Sequence, residues 1–165
     1  MDDPEGPYSA IILATAGLNR IDMAHRITKH LSPTEFPYAV GQGALGIEIR
    51  EDDSETLKII QPIEDPLTRW ICIAERSMLR TLQGGCSSPV AVNCTVESGN
   101  RLRLEGNIIH PLGSKQITKS AVADVTCDSE ATALGAVVAK SLEEGGGRAL
   151  LDEIRSLQEK EMNVA

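Results

Sequence analysis

The sequence predicts a mixed chain: an α/β piece of about sixty residues, then a compact α+β domain of about one hundred with a three-stranded antiparallel sheet. Three observations carry this. A continuous apolar run over 9–13 leads straight into a helix-like stretch, the pattern of a strand covered on both faces. Trp70, Ile73, Ala74, Met78 and Leu82 recur at helical spacing. Three strand-length segments, 90–96, 102–109 and 116–125, are separated by Ser98-Gly99-Asn100 and by Pro111-Leu112-Gly113-Ser114, both turn chemistry.

In chain order, the run over 9–13 reads as a strand that flows into Ala14 to Arg20 and a patterned stretch through Leu31, giving strand, tight turn and helix. Ser32-Pro33 stops it, because proline disfavours helical angles in the residue before it. Gly41, Gly43 and Gly46 then precede an alternating strand through Arg50, and 55–60 is a short helix ending before Pro62. Asp65 caps the strong helix that runs to Leu82, and Pro66 suits its first turn. After the meander come an alanine-rich helix over 130–142, a glycine break over 143–147 and an amphipathic helix over 149–157. The polar tail from Gln158 is expected to fray.

Only four side chains are aromatic (Tyr8, Phe36, Tyr38 and Trp70), so the core must be built from Ile, Leu, Val and Ala. A formal charge of −8 argues against a nucleic-acid partner, whose phosphates need basic side chains to release counterions, and against anionic membranes. No run reaches the roughly 18 apolar residues of a membrane span, and residues 1–7 lack the basic and apolar regions of a signal peptide. The chain reads as soluble and cytoplasmic, with an organellar location left open. Cys72, Cys86, Cys94 and Cys127 are spaced 14, 8 and 33 apart, which fits neither a metal knuckle nor a disulfide framework, so four unpaired thiols and no metal are expected.

Three segments could carry chemistry. Gly84-Gly85-Cys86-Ser87-Ser88-Pro89 displays a thiol beside two residues without side chains, so a bulky group can approach the sulfur; a small buried cysteine at a helix end is the other reading. A hydrolase would need a histidine to take the thiol proton, and His25, His30 and His110 stand in no recognisable pattern. Ala14 to Arg20 leads into a helix N-terminus, where free N–H groups favour carboxylate or phosphate, and Arg20 offers a bidentate clamp. Gly41-Gln42-Gly43 presents an amide that both donates and accepts.

Taken in order, the segments SAIILATAGLNR (9–20), PYAVGQGALGIE (37–48), AERSMLR (74–80) and GGCSSPVAV (84–92) closely resemble the porphobilinogen deaminase, or hydroxymethylbilane synthase, family. The similarity covers nearly the whole chain and weakens after about residue 112.

The resemblance implies a tetrapyrrole-building transferase. The cysteine matching Cys86 would hold a dipyrromethane cofactor through a thioether, and porphobilinogen units would be added to it with loss of ammonia until hydrolysis releases hydroxymethylbilane. Cofactor and substrate contacts would fall on Ala14, Thr15, Arg20, Gln42, Gly43 and Ser87, with Arg20 meeting acetate and propionate groups. Arg76 and Arg80 are expected to form structural ion pairs. Residues 1–38 would end a second lobe like that of periplasmic binding proteins, 39–64 would cross back to the first lobe, and 65–165 would be the C-terminal domain.

The family's first lobe, whose Lys-Asp motif supplies the proton-handling aspartate, is not in this sequence. Asp2 and Asp3 do not occupy that motif, so no catalytic acid is assigned, and the missing lobes are expected as structural partner. A chain that keeps the family sequence as a noncatalytic interaction or regulatory domain is the alternative. Residues 65–165 should fold alone, whereas 1–64 should be labile because the strand over 9–13 lacks partners.

Overall fold

The computed structural model describes residues 6–83 and 88–162, with side chains described through Lys160. Two compact units divide the chain, one ending at Phe36 and the other beginning at Pro37.

The first unit holds helix α1 (Thr15–Arg20) and a single 3₁₀ turn, Ala24–Arg26. The strand expected over 9–13 does not form. Ile11, Ile12 and Leu13 are 49%, 61% and 56% exposed, and no described segment pairs with them. The expected helix up to Leu31 also stops early, because Asp22 takes φ 58°, which no right-handed helix accommodates. No described residue of this unit is buried.

In the second unit the strand expected through Arg50 is likewise absent. Leu45 and Ile47 are exposed, and the segment that does pair lies ahead of the glycines, where Tyr38 bridges Val92. Helix α2 (Ser54–Ile60) follows, started by Asp53, whose carboxylate accepts from Thr56 N–H at 3.0 Å.

Helix α3 (Pro66–Thr81) begins where the sequence places it, with Asp65 accepting from Thr68 N–H at 2.7 Å. Strands β1 (Val90–Ser98), β2 (Arg101–Ile109) and β3 (Gln116–Asp124) form an antiparallel sheet in the order β1-β2-β3. Its register aligns Val90 with Ile108 and Val92 with Gly106, and Ile108 with Ile117, so one face is apolar. Helices α3 and α4 (Asp128–Leu142) cover that face. Met78, Leu104, Ile108, Val138 and Leu142 meet there without solvent exposure, each large side chain contributing about 1.5–3 kcal/mol of burial.

Helix α4 starts two residues before the expected 130 because Glu130 reaches back, accepting from Thr126 N–H at 2.7 Å and from its hydroxyl at 2.9 Å. A π-type turn, Glu143–Gly147, joins it to α5 (Arg148–Met162), with Gly146 at φ 96°. The tail expected to fray from Gln158 remains helical to Met162, since Gln, Glu, Lys and Met are good helix formers. Leu150, Leu151 and Ile154 return the last helix to the core.

Among the described residues, no helix is long and apolar enough to cross a membrane, and no group of three side chains could hold a metal ion.

Candidate functional site

Cys86 and Ser87 lie outside the described residues, as do Gly84 and Gly85. Leu82, after α3, and Val90, the first residue of β1, both belong to the core, and the Pro89 carbonyl accepts from Ile109 N–H at 3.0 Å.

Ala14, Thr15 and Arg20 come together on α1. Ala14 is its N-cap residue and has extended backbone angles, and its carbonyl accepts from Gly17 N–H at 3.0 Å. Thr15 and Ala16 follow it in the first turn, where N–H groups have no intrahelical partner. The Thr15 hydroxyl lies 3.5 Å from His30 Nδ1. Arg20 closes the helix with an exposed guanidinium that has no ion-pair partner among the described residues.

Gln42 and Gly43 belong to the second unit, in a turn where Gln42 N–H donates to the Ala39 carbonyl at 3.3 Å. Gly41 and Gly43 have φ 77° and 87°, a left-handed backbone that glycine enters without strain. No atom lies within 4 Å of where a Cβ would stand on either, so the turn is open to an approaching group.

The turn is held from below. Tyr38 N–H donates to the Val92 carbonyl at 2.9 Å and Val92 N–H donates back at 2.7 Å, while Val40 packs on the core. Gly41 N–H donates to Glu75 Oε2 at 2.8 Å. Glu75 is only 8% exposed, and burial pushes its carboxyl above the ordinary carboxylate range despite the Gly41 bond. Sequence reasoning missed this residue; its one visible signal is a charge beside the apolar stripe of α3.

One expectation changes. Arg76 and Arg80 make no ion pair among the described residues; Arg80 Nε donates instead to the Arg76 carbonyl at 3.3 Å. Neither has an acidic residue three or four positions away, so the helix offers no partner. His110 is buried and engaged in its own turn, with Nδ1 accepting from Leu112 N–H at 3.2 Å. Cys72, Cys94 and Cys127 are free thiols, and burial raises the first two, Cys94 to about 12.

Comparison with known proteins decides the family. Residues 2–58 match the family model described as porphobilinogen deaminase, dipyromethane cofactor binding domain, and residues 70–144 match porphobilinogen deaminase, C-terminal domain. The chain belongs to the porphobilinogen deaminase family. It is 43% identical over 154 residues to the porphobilinogen deaminase of Yarrowia lipolytica, 42% over 155 to that of Candida albicans and 42% over 150 to that of Gloeobacter violaceus. These alignments take in 93%, 93% and 91% of this chain and 45% of each relative, so the chain spans less than half their length. Within the porphobilinogen deaminase matches, Ala14, Thr15, Arg20, Gln42 and Gly43 fall in the cofactor-binding domain and Cys86 in the C-terminal domain.

The described residues suit the group that domain is named for. A group bearing carboxylates needs cations and N–H donors; in the first unit Arg20 and the first turn of α1 are of that kind, and in the second unit the Gln42 amide is a further donor.

Proposed function

We propose that this chain is the cofactor-bearing portion of a hydroxymethylbilane synthase, a transferase that polymerises porphobilinogen into hydroxymethylbilane with release of ammonia. The observation that carries this is the family match itself, whose cofactor-binding domain takes in five of the seven residues read as ligand contacts, with Cys86 and Ser87 in the C-terminal match. Dipyrromethane, when bound, supplies the covalent primer on which porphobilinogen units are added. Cys86 holds it through a thioether, and Gly84 and Gly85 keep the approach to sulfur free of side-chain bulk. Arg20 pairs with carboxylates in a bidentate fashion, the N–H groups of the Ala14–Thr15 turn add donors, and Gln42, Gly43 and Ser87 complete the contacts. No proton-handling acid is assigned among these residues.

Residues 1–38 are proposed to end a second, periplasmic-binding-protein-like lobe, 39–64 to return to a first lobe, and 65–165 to form the C-terminal domain. The first-lobe segments of its relatives are the structural partner in this reading, which the shared 45% of their length supports. The reading places the protein in the cytoplasm without a nucleic-acid or membrane partner, in keeping with a net charge of −8.

Intact mass of the protein prepared together with the first-lobe segment tests the proposal. A dipyrromethane adduct that disappears in Cys86→Ala is expected. An unmodified Cys86, or undiminished tetrapyrrole synthesis by Cys86→Ala, overturns it and favours a noncatalytic interaction domain.

A further inference from the structure

Glu75 is an acid buried within a helix, beside Ala74 in sequence and one turn before Met78, both apolar and unexposed. Burying a carboxylate is costly unless it is hydrogen-bonded, and the partner here comes from 34 residues earlier in the chain, the Gly41 N–H at 2.8 Å. That bond fixes the residue immediately before Gln42 and Gly43. The backbone pair Tyr38–Val92 and the Val40 side chain secure the segment only as far as residue 40. Beyond it, Gly41 and Gly43 both occupy left-handed angles and nothing crowds either position, so the turn is defined from within by the Gln42 N–H bond to the Ala39 carbonyl at 3.3 Å and tied to α3 by the Glu75 bond.

We infer that Glu75 is a positioning residue: through the Gly41 amide it sets the Gly41-Gln42-Gly43 turn relative to α3, the helix whose C-terminal end leads into the segment carrying Cys86. The inference rests on the functional reading above for its consequence, since Gln42 and Gly43 are the contacts that would be held in place. One side chain in the middle of α3 thus ties a ligand-contacting turn to the helix that precedes the covalent anchor. Desolvation raises the Glu75 carboxyl. Among the described residues, the titratable and charged groups near it are Cys72 and Arg76 on its own helix and Cys94 from β1, and the Glu75 charge raises both thiols.

Two readouts separate the tether from its consequence. In the chain itself, the Gly41 amide proton should shift as Glu75 titrates, and this response should vanish in Glu75→Gln, which keeps an acceptor but no charge. Exchange of the Gly41 amide should quicken about tenfold in Glu75→Ala and much less in Glu75→Gln, since loss of a hydrogen bond to a charged group is of that size. Unchanged Gly41 exchange in Glu75→Ala overturns the tether whatever the protein does.

In protein prepared with the first-lobe segment, Glu75→Ala should raise KM for porphobilinogen about tenfold. Cys86 occupancy by intact mass should be unchanged, and Glu75→Gln should restore most of the loss. A KM that does not move while Gly41 exchange does overturns the positioning role. If the unsubstituted protein takes no adduct on Cys86, the functional reading fails and the positioning role fails with it, while the Gly41 readouts still decide the tether.

Discussion

Gly135 of α4 lies against Ala74 of α3 so closely that a Cβ at 135 would come inside the contact distance of the Ala74 carbonyl oxygen and stand 2.8 Å from the Met78 nitrogen. The two helices cross backbone to backbone here, and Ser77 Oγ donates to the Thr132 carbonyl at 2.8 Å beside the crossing. Gly135→Ala therefore cannot be accommodated by a side chain turning aside. It should destabilise the second unit by about 1–3 kcal/mol, the cost of overpacking a fixed core. Gly17→Ala, with nothing within 4 Å, should not destabilise, since alanine favours a helix. Urea unfolding of both variants checks this, and a Gly135→Ala midpoint equal to that of the parent chain would contradict the crossing.

The N-termini of the same two helices are joined by Arg69, whose Nε donates to Asp128 Oδ1 at 3.0 Å and whose Nη1 meets Glu64 at 3.2 Å. The Arg69 hydrogen bond holds the Asp128 carboxyl below its ordinary 3.8. A depressed carboxylate contributes stability that is complete above its unfolded value and is lost as pH falls through the folded one. Arg69→Ala should thus lower the melting temperature near neutral pH, with the difference from the parent chain closing as pH falls below 3.8 and through the lowered folded value. All these groups face water, so the effect should also shrink in high salt. A melting-temperature difference that persists unchanged at low pH would rule out this account.

Glu75 has the opposite sign. Burial raises its carboxyl above 4.5, so the folded chain binds that proton more tightly than the unfolded chain. Stability from this group is then greatest below 4.5 and falls as pH rises through the folded value. Glu75→Gln keeps an acceptor for Gly41 N–H and removes the ionisation. It should match the parent chain in acid and exceed it in thermal stability at neutral pH. A variant less stable at neutral pH than in acid, relative to the parent, would mean that the charge itself is needed.

The thiols should rank by burial and ionisation. Cys94, pushed to about 12, is ionised to only about one part in ten thousand at pH 8, and the partly buried Cys72 is also raised. Cys127 is exposed. Iodoacetamide should modify Cys127 well before Cys72 and Cys94 in the native chain, as peptide mapping of a time course would show. Early labelling of Cys94 would place β1 in a different register.

The helices and sheet of the second unit were legible because their signals are local. Asp65-Pro66 states a helix start, Ser98-Gly99-Asn100 a hairpin, and alternation along 101–109 the buried face, so the expected ends fall within two residues of those of β1, β2 and β3. The runs over 9–13 and 46–50 read equally well as strands, but a strand exists only when another pairs with it, and neither finds a partner among the described residues. Asp22 was invisible for a different reason, since aspartate tolerates positive φ without demanding it. Of the candidate site, composition identified the glycine turn and the cation of α1. The Glu75–Gly41 bond depends on which backbone N–H meets a buried acid, and no periodicity reports that.

Arg20 carries the most direct functional prediction. Its guanidinium is exposed, ends α1 and has no ion-pair partner among the described residues, so it contributes little to the fold and is free to meet a carboxylate. Arg20→Ala should leave thermal unfolding within about 0.5 kcal/mol of the parent chain, as surface substitutions do. In protein prepared with the first-lobe segment it should weaken porphobilinogen use by about ten- to a hundredfold, the value of charge-assisted hydrogen bonds to a carboxylate. Arg20→Lys should recover only part of this, because an ammonium keeps the charge and loses the planar pair of donors. Steady-state kinetics on the three proteins, with Cys86 occupancy measured by intact mass, separates loss of substrate binding from failure to load the cofactor. Equal KM in Arg20→Ala and the parent would remove Arg20 from the site.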